Sequence, residues 1–166
     1  MNKSIVNDAT APSVEGIDVV TTEARPIVGL RERVATADLS DFFSGALPLV
    51  AERLGRAAIH PIGPPVAVYR DEHGPEFQVT VGFPVEQTHT PPSIDGLVRD
   101  TLPGGRAVRA VHSGPYESLP EAYARLGAWF ARRAMQPPTM MWEEYLVGPD
   151  ATGESGCCTE VVFPLP

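Results

Sequence analysis

Over residues 37–55 the run ADLSDFFSGALPLVAERLG sets apolar side chains at Leu39, Phe42, Phe43, Ala46, Leu47, Val50 and Leu54, the three- and four-residue steps of one buried helical stripe. Pro48 falls inside the stripe. It lacks an N–H and its ring crowds the preceding turn, so the pattern predicts a kinked or split helix. On both sides the period shortens. Residues 17–34, IDVVTTEARPIVGLRERV, are rich in β-branched positions and predict one long strand, with an interruption around 24–26. Residues 66–70 and 77–85 predict two short strands on either side of the turn-rich DEHGPE. The span 86–96, with Pro91 and Pro92, predicts a linker, and the polar, aperiodic span 1–16 a flexible leader.

The second half repeats this order: a strand over 106–112, a helix over 120–134 and strands over 139–147 and 159–164. In that helix Leu119, Tyr123, Leu126 and Phe130 form the core-facing stripe, with Trp129 beside it. RPIVGLRER from Arg25 aligns with RAVRAVHSG from Arg106, and VTVGFPV from Val79 with TEVVFPL from Thr159, at separations of 81 and 80 residues. Two matches in the same order, with helices between them, predict a duplicated βαββ unit. The fold class that follows is α+β, with repeat one over about 17–85 and repeat two over about 97–166. Pseudo-twofold symmetry would set two antiparallel sheets around one concave cleft, with the helices outside.

Composition narrows the function classes. With 43% hydrophobic and 20% charged residues and a mean hydropathy of −0.07, the chain reads as one globular domain that buries about 70% of its unfolded surface. The start has no basic end followed by an apolar core, and no apolar run is long enough to span a bilayer, so a cytoplasmic protein without membrane contact is expected. A formal net charge of −8 opposes tracking of nucleic-acid phosphates and leans toward cationic partners, although solubility alone accounts for it. Cys157 and Cys158 are adjacent and point to opposite faces of a strand, which disfavours a disulfide between them. His60, His73, His89 and His112 have no metal-ligand spacing, so neither metal nor cofactor is expected. As a haem ligand only His112 would serve, and its place in a Gly-Pro turn reads as structural.

The run LPGGRAVRAVHSGPYESLPEAYARLGAWF, followed by WEEYLVGPD and TEVVFPLP, resembles the GyrI-like family, which includes the effector-binding domains of AraC-type and MerR-type multidrug regulators. The matching pieces are Pro103-Gly104, His112 through Gly114-Pro115 to Tyr116, the helix through Phe130, Glu143-Glu144-Tyr145, and Phe163-Pro164-Leu165. The resemblance implies a binding module for bulky cationic or aromatic compounds, with a strand glutamate inside an aromatic pocket. The residue that matches is Glu143, two positions before Tyr145. Strand alternation independently sets Met141, Glu143 and Tyr145 on one face, with Trp142, Glu144 and Leu146 on the other. In the family the Gly-Pro-Tyr corner lies beside the pocket, which adds Tyr116. Tyr69 corresponds to Tyr145 through the repeat, and Phe83 and Phe163 occupy matched strand ends. Trp142 joins the candidates only if a bulge re-aims it.

A carboxylate among apolar and aromatic walls loses hydration, which disfavours its charge until a cation compensates. Each aromatic face adds cation–π attraction of about 0.5–2 kcal/mol. Binding of a small cationic or aromatic ligand over Glu143 is therefore the leading expectation. The alternative is a hydrolase that opens strained electrophiles such as cyclopropane-bearing alkylators, with Glu143 as general base and Tyr145 or Tyr69 assisting. A third reading is an inhibitor of a macromolecular target such as gyrase. The leader is too short and too poor in positive charge for a helix-turn-helix, so the expectation is a stand-alone form, monomeric or homodimeric, without direct nucleic-acid contact.

Overall fold

The computed structural model describes residues 6–7, 16–73, 75–87, 94–150 and 153–166. In chain order the elements are β1 (Val6–Asn7), β2 (Ile17–Thr22), β3 (Arg25–Ala35), α1 (Leu39–Arg56), β4 (Val66–His73), β5 (Glu76–Pro84), β6 (Val98–Leu102), β7 (Gly105–Ser113), α2 (Pro120–Arg132), β8 (Met141–Val147) and β9 (Cys158–Pro164). Most of the leader and residues 88–93 of the linker lie outside the described residues, although β1 pairs antiparallel with β2. The fold is α+β, a duplicated βαββ, and it divides into a first unit, Ala24–Leu102, and a second unit, Met1–Glu23 with Pro103–Pro166.

In the first unit the strands run β4-β5-β3-β6, all antiparallel. Helix α1 is continuous through Pro48, so the split does not occur. Its buried residues Ala46, Val50 and Leu54 keep one phase across the proline and hold both halves to the same apolar face. Asp41 in the first turn and Arg53 and Arg56 in the last complement the helix dipole. Val50 and Leu54 pack with Val28, Ile59, Val85, Ile94 and Leu97, against which Leu30 and Phe83 also rest. Opposite residues Gly29 and Gly82 bring β3 and β5 into very close approach, since a Cβ on Gly82 would stand 2.0 Å from the Val28 carbonyl oxygen.

The second unit has the order β1-β2-β7-β9-β8, again antiparallel. Helix α2 buries Ala122, Leu126, Trp129 and Phe130. Phe130 meets Phe163 of β9 edge-on at 5.6 Å, and Trp129 packs on Phe130 at 5.1 Å with Arg133 over its outer face. In both units the first strand of the repeat pairs with the third, and the third with the second. Both helices follow a 3₁₀ turn, Thr36–Asp38 or Tyr116–Ser118, and both exit through an alanine in the left-handed region, Ala58 or Ala134.

Three expectations need correction. The interruption expected around 24–26 is present, between Thr22 and Arg25, but it separates two strands with different partners: β2 pairs with β7, whereas β3 pairs with β5 and β6. Alternation within each strand is insensitive to the chain leaving one unit for the other at residues 23–24. Strand β6, just after the linker, lies outside every predicted element and pairs with β3. The first repeat match is one residue out. Val28 faces Phe83 and Val108 faces Phe163, so both strand pairs correspond at a separation of 80, and a slip of one would have reversed which side chains face the helix.

The close β3–β5 approach generates a stability test. Gly82→Ala forces backbone to move and is expected to destabilise by about 1–3 kcal/mol or more. Gly45→Ala, in α1 with nothing within 4 Å of the added methyl, is expected to stabilise by about 0.5–1 kcal/mol. Urea denaturation of both variants checks the opposite signs.

Candidate functional site

Register fixes what surrounds Glu143. Across β8, β9 and β7 it lies in a row with Val161 and Ala110, and the next row is Tyr145, Thr159 and His112. Side chains opposite one another in a sheet share a face, and Phe163, two residues from Val161, is the one that meets α2. Glu143 therefore faces the helix of its own unit. Sequence alternation separates the two faces of a strand without saying which one a helix covers.

Glu143 is 4% exposed. Its Oε1 accepts a hydrogen bond from the Tyr123 hydroxyl on α2, and its Oε2 one from the Tyr145 hydroxyl on the same strand at 2.5 Å. The Tyr123 hydroxyl also lies 3.7 Å from Met141 Sδ. A hydroxyl donor at each oxygen offsets part of the hydration lost on burial.

Tyr116 closes one side, its ring perpendicular to that of Tyr145 at 6.0 Å. Gly114, at φ +123°, and Pro115 turn the chain from β7 into the 3₁₀ turn that carries it. His112, buried at the end of β7, fastens that turn: its Nε2–H donates to Ser118 Oγ at 2.9 Å, and the Ser118 hydroxyl donates to the Pro115 carbonyl at 2.8 Å. The segment before β9 holds the other side. There the Cys157 carbonyl accepts from Gly114 N–H at 2.8 Å and the Glu154 carboxylate from Tyr116 N–H at 3.0 Å. Burial, a side-chain hydrogen bond with Cys157, and the charges of Cys157, Glu154 and Glu143 push the Tyr116 phenol up to about 12.

The profile of the GyrI-like small molecule binding domain matches residues 16–166. The chain belongs to this family. No curated protein sequence matches it. As a GyrI-like domain it is similar in fold to the crystal structure of the EcmrR C-terminal domain, at a TM-score of 0.73 and 18% identity over 90% of this chain and 96% of that one. In the DNA complex of EcmrR the match covers 89% of this chain at 19% identity and a TM-score of 0.73, and spans only 56% of the EcmrR chain. SAV2435 bound to tetraphenylphosphonium aligns at a TM-score of 0.62 and 10% identity, over 90% of this chain and 93% of that one. A hydrolase from Listeria innocua aligns at a TM-score of 0.60 and 10% identity, over 95% and 94%.

Of the residues named from sequence, Tyr116, Met141, Glu143 and Tyr145 meet in this cluster. Trp142 does not: it points to the opposite face, where its Nε1–H donates to Glu144 at 3.3 Å. Phe163 shares the face of Glu143 but packs on Phe130. Tyr69 and Phe83 belong to the first unit, where Tyr69 stands edge-on between Phe43 and Phe77, and Phe83 rests on the core. By helical period Tyr123 is a core-stripe residue, and the structure adds its hydroxyl to the cluster. The signal that distinguishes it is the repeat, since Phe43 occupies the same helical position 80 residues earlier. Among the described residues no helix is long and apolar enough to cross a membrane, and no group of three or more His, Cys, Asp or Glu could hold a metal ion.

The raised phenol of Tyr116 has a measurable sign. Its neutral form is favoured in the fold, so the stability it contributes is intact below pH 10 and lost as pH climbs from 10 toward 12. Ultraviolet titration of tyrosinate is expected to show a late step near pH 12 that Tyr116→Phe removes. Persistence of that step in the variant would assign it elsewhere.

Proposed function

We propose that this GyrI-like domain binds bulky cationic or aromatic small molecules, with Glu143 as the buried acidic anchor and Tyr116, Tyr123, Met141 and Tyr145 as its walls. The observation that carries the reading is a carboxylate at 4% exposure whose two oxygens are each bonded by a tyrosine hydroxyl. In a desolvated setting a fixed negative charge attracts a delocalised cation more strongly than water would allow. Tyrosine rings contribute their electron-rich faces. The family description supports a small-molecule ligand, and the tetraphenylphosphonium bound to SAV2435 supports a bulky cationic one.

A second reading rests on the bond from Tyr145 to Glu143 at 2.5 Å. A carboxylate coupled to a phenol can take a proton from water while the phenol donates one to a leaving group, which is general acid–base catalysis. It would make the domain a hydrolase of strained electrophiles such as cyclopropane-bearing alkylators, in line with the Listeria innocua relative named as a hydrolase.

One paired experiment separates the readings. Calorimetric titration with tetraphenylphosphonium is expected to give saturable binding that weakens at least about tenfold in Glu143→Gln, the loss of a desolvated charge pair. Incubation with a cyclopropane-bearing alkylator, followed by mass spectrometry, reports any water adduct. Binding without adduct leaves the binder. Adduct formation lost in Glu143→Gln while binding survives makes the enzyme the correct reading, and unchanged binding in Glu143→Gln overturns the anchor.

A further inference from the structure

The two units provide a comparison within one chain. With pairing register as the guide, Glu143 corresponds to Ala67, Tyr145 to Tyr69 and Thr159 to Val79. From the matched 3₁₀ turns, Tyr123 corresponds to Phe43. The same backbone arrangement thus exists twice, once with a carboxylate and two hydroxyls and once with apolar residues at those three positions. The fold does not require the polar set.

Glu143 and Tyr123 bond each other, but Thr159 is different. It is fully buried, at 0% exposure, and its Oγ1 has no hydrogen-bond partner among the described residues. It stands on the α2-facing side of β9, between Tyr145 on β8 and His112 on β7. The hydroxyl of Tyr145 is given to Glu143, and Nε2 of His112 to Ser118. A buried hydroxyl without a partner costs stability, and Val79 demonstrates that valine, of similar shape, fits at the corresponding place. A group that is unfavourable in the free protein and dispensable to the fold is accounted for if a ligand completes it.

We infer that Thr159 is a specificity-determining residue of the Glu143 site, where its hydroxyl recognises a hydrogen-bonding group carried by the bound cation. Resting on the binding function proposed above, this narrows the ligand class. Preferred guests pair a delocalised positive charge with an amino or hydroxyl substituent, as an amino-substituted aromatic cation does. A cation without hydrogen-bonding groups would engage Glu143 and the rings but leave Thr159 unsatisfied.

Two probes test this on the full chain: proflavine, a diaminoacridinium, and tetraphenylphosphonium, which has no hydrogen-bonding group. Thr159→Val is expected to weaken proflavine about three- to tenfold, the worth of one hydrogen bond. Tetraphenylphosphonium binding should stay within about twofold and the melting temperature should rise. Thr159→Ser keeps the hydroxyl and is expected to retain proflavine affinity, which guards against a mere packing effect. Equal changes for both probes, or none for either, in a protein whose binding still depends on Glu143 would overturn the role of Thr159 alone. If neither probe binds the wild-type protein, the binding function itself fails; if both bind and Glu143→Gln leaves both unaffected, the Glu143 anchor fails; the role of Thr159 falls with either.

Discussion

Burying Glu143 between a sheet and a helix sets the terms for everything around it. A carboxylate removed from water needs donors from whatever covers it. Here one donor comes from its own strand and the other from the helix above, Tyr145 and Tyr123. The pair ties α2 to β8 through a polar clasp at one end, while Phe130 on Phe163 supplies an apolar clasp at the other. Tyr116 can reach this cluster only because the Gly114-Pro115 turn is fastened on one side by His112 and on the other by Glu154 and Cys157. A strand, a helix and a turn are thereby oriented around one charge.

The apolar half of this design was readable from the chain. Periods near two and 3.6 marked most strands and both helices, because those periods are what burial on one face imposes. The duplication was visible because Phe83 and Phe163 end their strands in the same setting. Less was legible where a residue serves two purposes. Tyr123 sits at a stripe position, and a stripe records only that a side chain is buried. The direction of Glu143 was equally hidden. Alternation separates it from Glu144 but contains nothing about which sheet face receives α2. That β2 and β3 belong to different units was invisible because strand pairing is a long-range property that neither strand encodes alone.

The repeats also display how polarity is added to an existing framework. Where the second unit has the Tyr123–Glu143–Tyr145 group, the first has Phe43 and Tyr69 stacked edge-on, with Phe77 beyond. Phe43 fills by volume what Tyr123 fills by volume and hydroxyl together. Ala67 removes the charge that would have demanded the hydroxyl. Acquiring or losing such a site requires coordinated change, since a glutamate at the position of Ala67 without a second phenol would be a buried acid short of a donor.

The pairing of β2 with β7 and of β6 with β3 has a consequence for how the chain is made. The first unit is contiguous and can close once Leu102 has left the ribosome. The second is assembled from segments on both sides of the first, so β2 remains an open edge until β7 emerges some 80 residues later. Such non-local pairing slows folding and leaves an unpaired strand available to wrong partners in the meantime. The unit that bears the buried acid therefore matures after the other, and the waiting strand is where errors of assembly would begin.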